Sequence, residues 1–278
     1  TRVKMREGQN GIRYMVADQA LAPYPERMTD RLVHWAKEKP TQTLFARRAK
    51  NADGSSGDWQ HISFAQALDS ARHIAQGLIN RGLSADRPVV ILSENDLEHA
   101  LMALGCLVAG VPYCPASPAY STISQDYDKL RHILSTLTPG LVFAADAARY
   151  GKAIQTAVST DVEVVLTHGK AEGHTNTSFA ELLATPVTPA VDAAMQATGP
   201  DTIAKFLFTS GSTKMPKAVM NTNRMWCANQ QQMCQSMPLL TEQAPVLIDW
   251  LPWNHTFGGN HNFGMVIYNG GTLYIDDG

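Results

Sequence analysis

The run Lys205-Phe206-Leu207-Phe208-Thr209-Ser210-Gly211-Ser212-Thr213-Lys214-Met215-Pro216-Lys217-Ala218-Val219 sets small hydroxylated residues around one glycine, between an apolar stretch and two lysines. Residues of these types at this spacing suit the binding of an oxyanion. Short side chains let backbone N–H groups converge on one centre. The hydroxyls of Thr209, Ser210, Ser212 and Thr213 can donate to its oxygens, and Lys214 and Lys217 add positive charge. Hydrogen bonds assisted by charge are shorter and roughly twice as strong as neutral ones. The familiar nucleotide-triphosphatase loop, G-x-x-x-x-G-K-[ST], does not match. Gly211 is followed by Pro216, Lys217 and Ala218, without the second glycine or the metal-binding hydroxyl. The apolar residues before Thr209 predict a strand entering the loop. Ala218 and Val219 predict a strand leaving it, with a helix only from about Thr222.

With that strand before it and Pro216-Lys217 after it, the segment resembles the signature loop of the adenylate-forming superfamily: acyl-CoA synthetases, luciferases and peptide-synthetase adenylation domains. In that family the loop wraps the β- and γ-phosphates of ATP. The resemblance implies the same role for Thr209, Ser210, Gly211, Ser212, Thr213 and Lys217. The chain departs from the common pattern at Lys214 and Ala218, where glycine is usual. A side chain restricts the left-handed backbone that glycine permits, so two readings stand for Lys214: a locally altered loop, or an added phosphate contact.

A second segment, Leu251-Pro252-Trp253-Asn254-His255-Thr256-Phe257-Gly258-Gly259, resembles the LPxxHxxG motif of acyl-CoA synthetases. The family's histidine falls on His255, which the resemblance places in the acyl pocket, near the substrate carboxylate and the α-phosphate. A neutral imidazole there can orient an anion or stack on the substrate, and it titrates near physiological pH. A lone loop histidine is ordinarily a satisfied packing residue; the motif around His255 favours the pocket. His255 and His261 have no third ligand nearby in sequence, so a structural zinc is not expected. Leu107-Val108-Ala109-Gly110-Val111-Pro112-Tyr113-Cys114-Pro115 is similar to the family's LxAGxxxxP segment, physically a helix ending at glycine before a buried strand. The wording from Trp250 to Gly259, the downstream Asn269-Gly270-Gly271-Thr272 and Lys214 itself resemble the feruloyl-CoA synthetase branch, which activates hydroxycinnamates such as ferulate and coumarate. Trp253, Phe257 and Phe263 offer aromatic surface to such a ring, or core packing.

The elements that must carry these segments are legible as alternating patterns. Ser63-Phe64-Ala65-Gln66 has the spacing of a capping box. Leu68, Ala71, Ala75, Leu78 and Ile79 then share one helical face, with Gly82 as a stop. Pro88-Val89-Val90-Ile91-Leu92 predicts a buried strand. Asn95 and Glu98 suggest the start of a helix reaching Gly110, and Val111 opens the next strand. A helix over 124–137 follows, with strands at 140–144 and 162–167 separated by a helix through Ala153 and Ile154. Strands are also predicted at the loop and at Thr272-Leu273-Tyr274-Ile275. Strand, helix and strand in repetition imply crossover connections and a mainly parallel sheet. The stretch 185–200, rich in Pro, Thr and Ala, reads as a connection between two units.

Composition removes several function classes. The 278 residues carry 23 basic and 25 acidic side chains, for a formal charge of −2. That balance argues against nucleic-acid binding or a charge-held membrane surface. Apolar residues at 44% and charged residues at 17% describe a chain with a packed core. The longest apolar stretch, 100–115, is broken by Gly105, Gly110 and Pro112, so no membrane span is expected. Cys106, Cys114, Cys227 and Cys234 form no Cys-x-x-Cys pair and read as buried small residues in a reducing cytoplasm.

The expected fold is α/β: two associated α/β subdomains with mainly parallel sheets. The first spans 1–184, the connection 185–200, and the start of the second 201–278. The resemblance implies ATP-dependent activation of a carboxylate to acyl-AMP and then acyl-CoA, with ATP, Mg2+ and coenzyme A as cofactors. Thr209, Ser210, Gly211, Ser212, Thr213, Lys214 and Lys217 would bind the nucleotide, and His255 would serve catalysis. Only seven residues follow Gly271. The resemblance therefore implies that the adenine and ribose motifs, the hinge and the C-terminal catalytic lysine belong to a missing C-terminal part, that the second subdomain is incomplete, and that the chain alone is inactive. Two rival classes are another ATP-using enzyme such as a phosphotransferase, and a non-catalytic nucleotide-binding or interaction module.

Overall fold

Local signals set most of the element boundaries. The computed structural model describes residues 2–51, 53–209 and 215–277. The chain opens with an antiparallel hairpin, β1 (Val3–Glu7) and β2 (Arg13–Ala17), followed by α1 (Met28–Glu38) and a second antiparallel pair, β3 (Thr43–Lys50) and β4 (Ser56–Ser63). Helix α2 (Phe64–Asn80) starts on the predicted capping box: Ser63 accepts from Gln66 N, and the Gln66 side chain accepts from Ser63 N. It stops at Gly82, whose φ of +61 suits a residue without a Cβ.

Strand β5 (Val89–Leu92) leads to α3 (Leu97–Ala109) and β6 (Tyr113–Pro115). The cap of α3 is Asp96, whose carboxylate accepts from His99 N; Asn95, the predicted start, is turned elsewhere. The short α4 (Ala119–Thr122) precedes α5 (Asp128–Leu137). Helix α5 begins later than the sequence pattern suggests. Ser124 Oγ accepts from Tyr127 N, Asp126 accepts from Asp128 N, and Tyr127 sits at φ +55, so the turn 124–127 is held outside the helix.

Then come β7 (Leu141–Asp146), α6 (Ala147–Ala157), β8 (Glu163–His168), β9 (Asn176–Ser178) and α7 (Phe179–Leu183). The stretch 185–200 holds α8 (Pro189–Ala197), capped by Thr188 with Pro189 in its first turn. It docks on α2: Arg72 pairs with Asp192, and Gln76 Oε1 accepts from both Thr188 N and Thr188 Oγ1. The remainder is β10 (Ile203–Thr209), β11 (Lys217–Thr222), α9 (Asn223–Ser236), α10 (Leu239–Glu242), β12 (Val246–Asp249), a π-helical turn Phe257–Asn262, α11 (Phe263–Asn269) and β13 (Thr272–Ile275).

Among the described residues the strands form two larger sheets beside the β1–β2 hairpin. One runs β11-β10-β6-β5-β7-β8-β9, parallel throughout except for the edge strand β11; the other runs β12-β13-β3-β4, antiparallel only at β4. Strands from before and after 185–200 therefore enter both sheets: β10 pairs with β6, and β13 with β3. Helices α2 and α3 lie between the sheets. Their Phe64, Ile74, Leu101 and Met102 share a core with Phe45, Leu273 and Ile275 of one sheet and Val89 and Phe143 of the other. Burying each such side chain contributes about 1.5–3 kcal/mol. Leu130, Ile133, Tyr150 and Ile154 of α5 and α6 cover the outer face of the seven-stranded sheet.

Candidate functional site

Parallel strands leave the loops after their carboxyl ends free to hold ligands. Here the carboxyl edges of both sheets face one crevice. A cavity of ≈ 310 Å³ is lined by Lys50 at the end of β3, by Ser93, Glu94 and Asn95 after β5, by Pro115 of β6, by Trp250 after β12 and by Asp276 after β13. The anion-loop segment and the histidine segment follow β10 and β12, so both leave from this edge.

Strands β10 and β11 form the stem of the predicted anion loop, with Thr209 opposite Lys217 in the register. Both side chains are exposed. Ser210, Gly211, Ser212, Thr213 and Lys214 lie outside the described residues. The loop's far end is held from α5: His132 Nε2 donates to Pro216 O at 2.9 Å, and the His132 ring meets Phe208 edge-on.

His255 follows Pro252 in a turn closed by His255 N donating to Pro252 O at 3.0 Å. Its carbonyl accepts from Gly259 N at 2.8 Å, starting the π-helical turn. The imidazole is exposed, and among the described residues its hydrogen bonding is one long contact from Phe257 N to Nδ1 at 3.4 Å. It lines a second cavity of ≈ 400 Å³ together with Asn221, Met225, Trp226, Phe257 and His261. Phe257 is half exposed and stacks on His261 at 4.7 Å between centroids. Trp253 and Phe263 are buried and pack against each other, so of the three aromatic residues only Phe257 faces outward.

The two segments are tied together. Lys205 Nζ on β10 donates to Gly259 O at 2.7 Å, and Asn260 Nδ2 donates to Asn221 Oδ1 of β11 at 2.8 Å. Trp226 Nε1 and Gln230 Nε2 of α9 both donate to Asn260 O. On the other side, Asn95 spans the histidine segment with both ends of its amide: Nδ2 donates to Leu251 O at 2.8 Å, and Oδ1 accepts from Trp253 N at 3.1 Å. The backbone approaches itself so closely here that glycine is required. A Cβ on Gly258 would stand 2.5 Å from Leu251 O, and one on Gly259 2.2 Å from Trp253 O. Beneath the segment, buried His99 meets the Trp253 ring edge-on at 4.9 Å; burial lowers its pKa to about 4. Sequence reasoning missed Asn95 as a clamp, His99 and Lys205. Their one common signal is a polar residue within or beside an apolar run.

The sequence model of the AMP-binding enzyme family matches residues 32–278. A methyl-dioxo-octahydro-indenyl propanoyl:CoA ligase of Rhodococcus jostii is 28% identical over 252 residues, covering 85% of this chain and 48% of the ligase. Fatty acyl-CoA synthetase B of Dictyostelium discoideum is 27% identical over 217 residues, covering 70% of this chain and 30% of that protein. The chain thus spans about half the length, or less, of these curated relatives. Among solved structures, ATP-bound MatB of Rhodopseudomonas palustris superposes with a TM-score of 0.68 at 21% identity, over 90% of this chain and 45% of that one. The fatty acid AMP ligase of Legionella pneumophila gives 0.67 at 20% identity, over 90% and 39%. These structural likenesses bear on the fold: a mixed α/β domain with mainly parallel sheets, of which the 278 residues cover part. With the family match extending from α1 to the end of the chain, the protein belongs to the AMP-binding enzyme family.

Proposed function

We propose that the whole protein activates a carboxylate with ATP and passes the acyl group to coenzyme A. The observation that carries this reading is the joining of the two segments: the stem of the anion loop and the turn bearing His255 are hydrogen-bonded to each other at one sheet edge. A phosphate-binding loop and an acyl-site histidine must act on the same ligand pair, and this geometry holds their stems together.

In the proposed reaction a carboxylate oxygen attacks the α-phosphorus of ATP, and the bond to pyrophosphate breaks. The resulting mixed anhydride carries a good leaving group. The sulfur of coenzyme A, having lost its proton, attacks the acyl carbon, and AMP departs with the electron pair of the broken C–O bond. Thr209, Ser210, Gly211, Ser212, Thr213, Lys214 and Lys217 hold the β- and γ-phosphates through hydroxyls, backbone N–H groups and charge. His255 orients the carboxylate. Magnesium bound with the nucleotide would offset the charge of its phosphates. The acyl substrate is a hydroxycinnamate such as ferulate. Phe257, stacked on His261, gives the cavity beside His255 a flat apolar wall that suits an aromatic ring.

Exchange of labelled pyrophosphate into ATP, measured against ferulate, coumarate, a long-chain fatty acid and an amino acid, tests the reading. Exchange that depends on ferulate or coumarate, followed by AMP and thioester on adding coenzyme A, is the expected result. ADP as product would make the protein a phosphotransferase instead. Nucleotide binding without any carboxylate-dependent exchange would make it a binding module.

A further inference from the structure

Lys205 is an amine inside a β-sheet. It lies on β10 between Ala204 and Phe206 and has no exposed surface. Its Nζ sits 3.4 Å from the centre of the Trp226 ring and 5.6 Å from that of Tyr113, and donates to Gly259 O at 2.7 Å. Among the described residues no carboxylate pairs with it. Desolvation depresses its pKa well below the usual lysine value.

A buried amine is a poor source of stability. Taking an amine out of water is costly, and a buried charge replaced by an apolar side chain of similar volume often leaves a protein as stable or more so. A methionine would fill the same space under Trp226. What a methionine cannot do is donate to Gly259 O. That carbonyl belongs to the π-helical turn Phe257–Asn262, four residues beyond His255, while Lys205 stands four residues before Thr209. The next carbonyl, Asn260 O, is held from the same side by Trp226 and Gln230. The turn is thus positioned by donors reaching its carbonyls, and Lys205 alone among these donors comes from the strand that enters the anion loop.

We propose that Lys205 is a positioning residue, whose hydrogen bond to Gly259 O sets the π-helical turn, and with it His255, relative to β10, the strand that leads to the predicted anion loop. The proposal rests on the reading of His255 as an acyl-site residue, and the test separates the two. In Lys205→Met, the melting temperature should hold or rise, because packing is kept and a desolvated amine is removed. Hydrogen exchange of amides in the Phe257–Asn262 turn should accelerate by about ten- to hundredfold, as expected for the loss of one strong hydrogen bond. The His255 ring resonances should shift, and Lys205→Arg, which keeps a donor, should restore part of both effects. In the whole protein, KM for the carboxylate should rise and kcat fall while KM for ATP stays within about twofold. Unchanged exchange in the turn with an unchanged melting temperature would overturn the proposal. So would a general loss of folding, which would make Lys205 a residue of global stability. Faster exchange and shifted His255 resonances with unaltered carboxylate kinetics would support the positioning role and overturn the acyl-site reading of His255.

Discussion

Acidification should loosen this protein through one histidine. His99 is 2% exposed, under the segment that carries His255. Its Nδ1 lies 3.0 Å from Glu94 O, which can only accept, so Nδ1 carries the hydrogen and the neutral ring keeps a bare Nε2. Burial, aided by the nearby positive charge of Lys205 and opposed by the Glu94 carbonyl, lowers the pKa from 6.5 to about 4. At about 1.36 kcal/mol per unit the difference amounts to about 3 kcal/mol. The folded pKa is depressed, so the unfolded chain takes up the proton first as pH falls. The stabilisation is complete above about pH 6.5, declines by roughly 1.4 kcal/mol per unit below it, and is gone near pH 4. Asp96 and Glu98, whose carboxyl pKa values are raised by burial, act with the opposite sign as they protonate. The measurement is therefore a difference. Urea unfolding of the wild type and of His99→Gln, whose amide can still donate to Glu94 O, is compared from pH 8 to pH 4.5. The wild type's advantage should be constant above pH 7 and shrink steadily below pH 6.5. A difference that stays flat to pH 4.5, or grows on acidification, would show that His99 does not titrate as its burial dictates.

Lys217→Ala should leave stability within about 0.5 kcal/mol, since the side chain is exposed, yet weaken ATP use by roughly 1.5–3 kcal/mol, read as a rise in ATP KM of ten- to 150-fold. Lys214→Gly restores the glycine common in the family: ATP binding by calorimetry falls if Lys214 contacts phosphate, and holds or improves if it does not. His255→Ala should cut carboxylate-dependent pyrophosphate exchange while ATP affinity and melting temperature stay put; equal exchange rates at saturating carboxylate would return His255 to a packing role. Asn95→Ala removes two backbone contacts of about 0.5–1.5 kcal/mol each, so amides at 251–253 should exchange faster with the rest of the fold intact; a uniform change across the protein would count against a local clamp.

Much of the framework was legible because its signals are local. The Ser63–Gln66 box, the Gly82 and Gly110 stops and the strands at β5 and β13 follow from spacing alone. The hairpin β1–β2 and the pair β3–β4 gave no comparable signal. The residues of β1 and β2 are all exposed, so no buried face imposes alternation, and β3 gains its place by pairing with β13, more than two hundred residues later. For the same reason the interleaving of the sheets was invisible. Which strand lies beside which depends on crossovers that close only when β10 and β13 return to strands laid down near the start. The helix after β5 shows a subtler miss. Asn95 and Asp96 are both good caps, and propensity does not choose between them. Packing does: Asp96 takes His99 N, and Asn95 is left to bridge Leu251 and Trp253.

That division of labour explains what the motifs leave out. Thr209 ends β10 of one sheet and His255 follows β12 of the other, and among the described residues no backbone ladder joins the two sheets at this edge. Their relation has to be set by side chains that reach across to backbone polar groups: Asn95 to 251 and 253, Lys205 to 259, and Trp226 and Gln230 to 260. Backbone N–H and carbonyl groups have no residue identity, so the backbone end of each bond leaves no mark in the sequence. The side-chain end looks like an ordinary polar residue beside an apolar run. A motif records the groups that meet a ligand. The groups that hold the motif in place become visible only when a buried polar atom such as Lys205 Nζ is asked where its hydrogen bond goes.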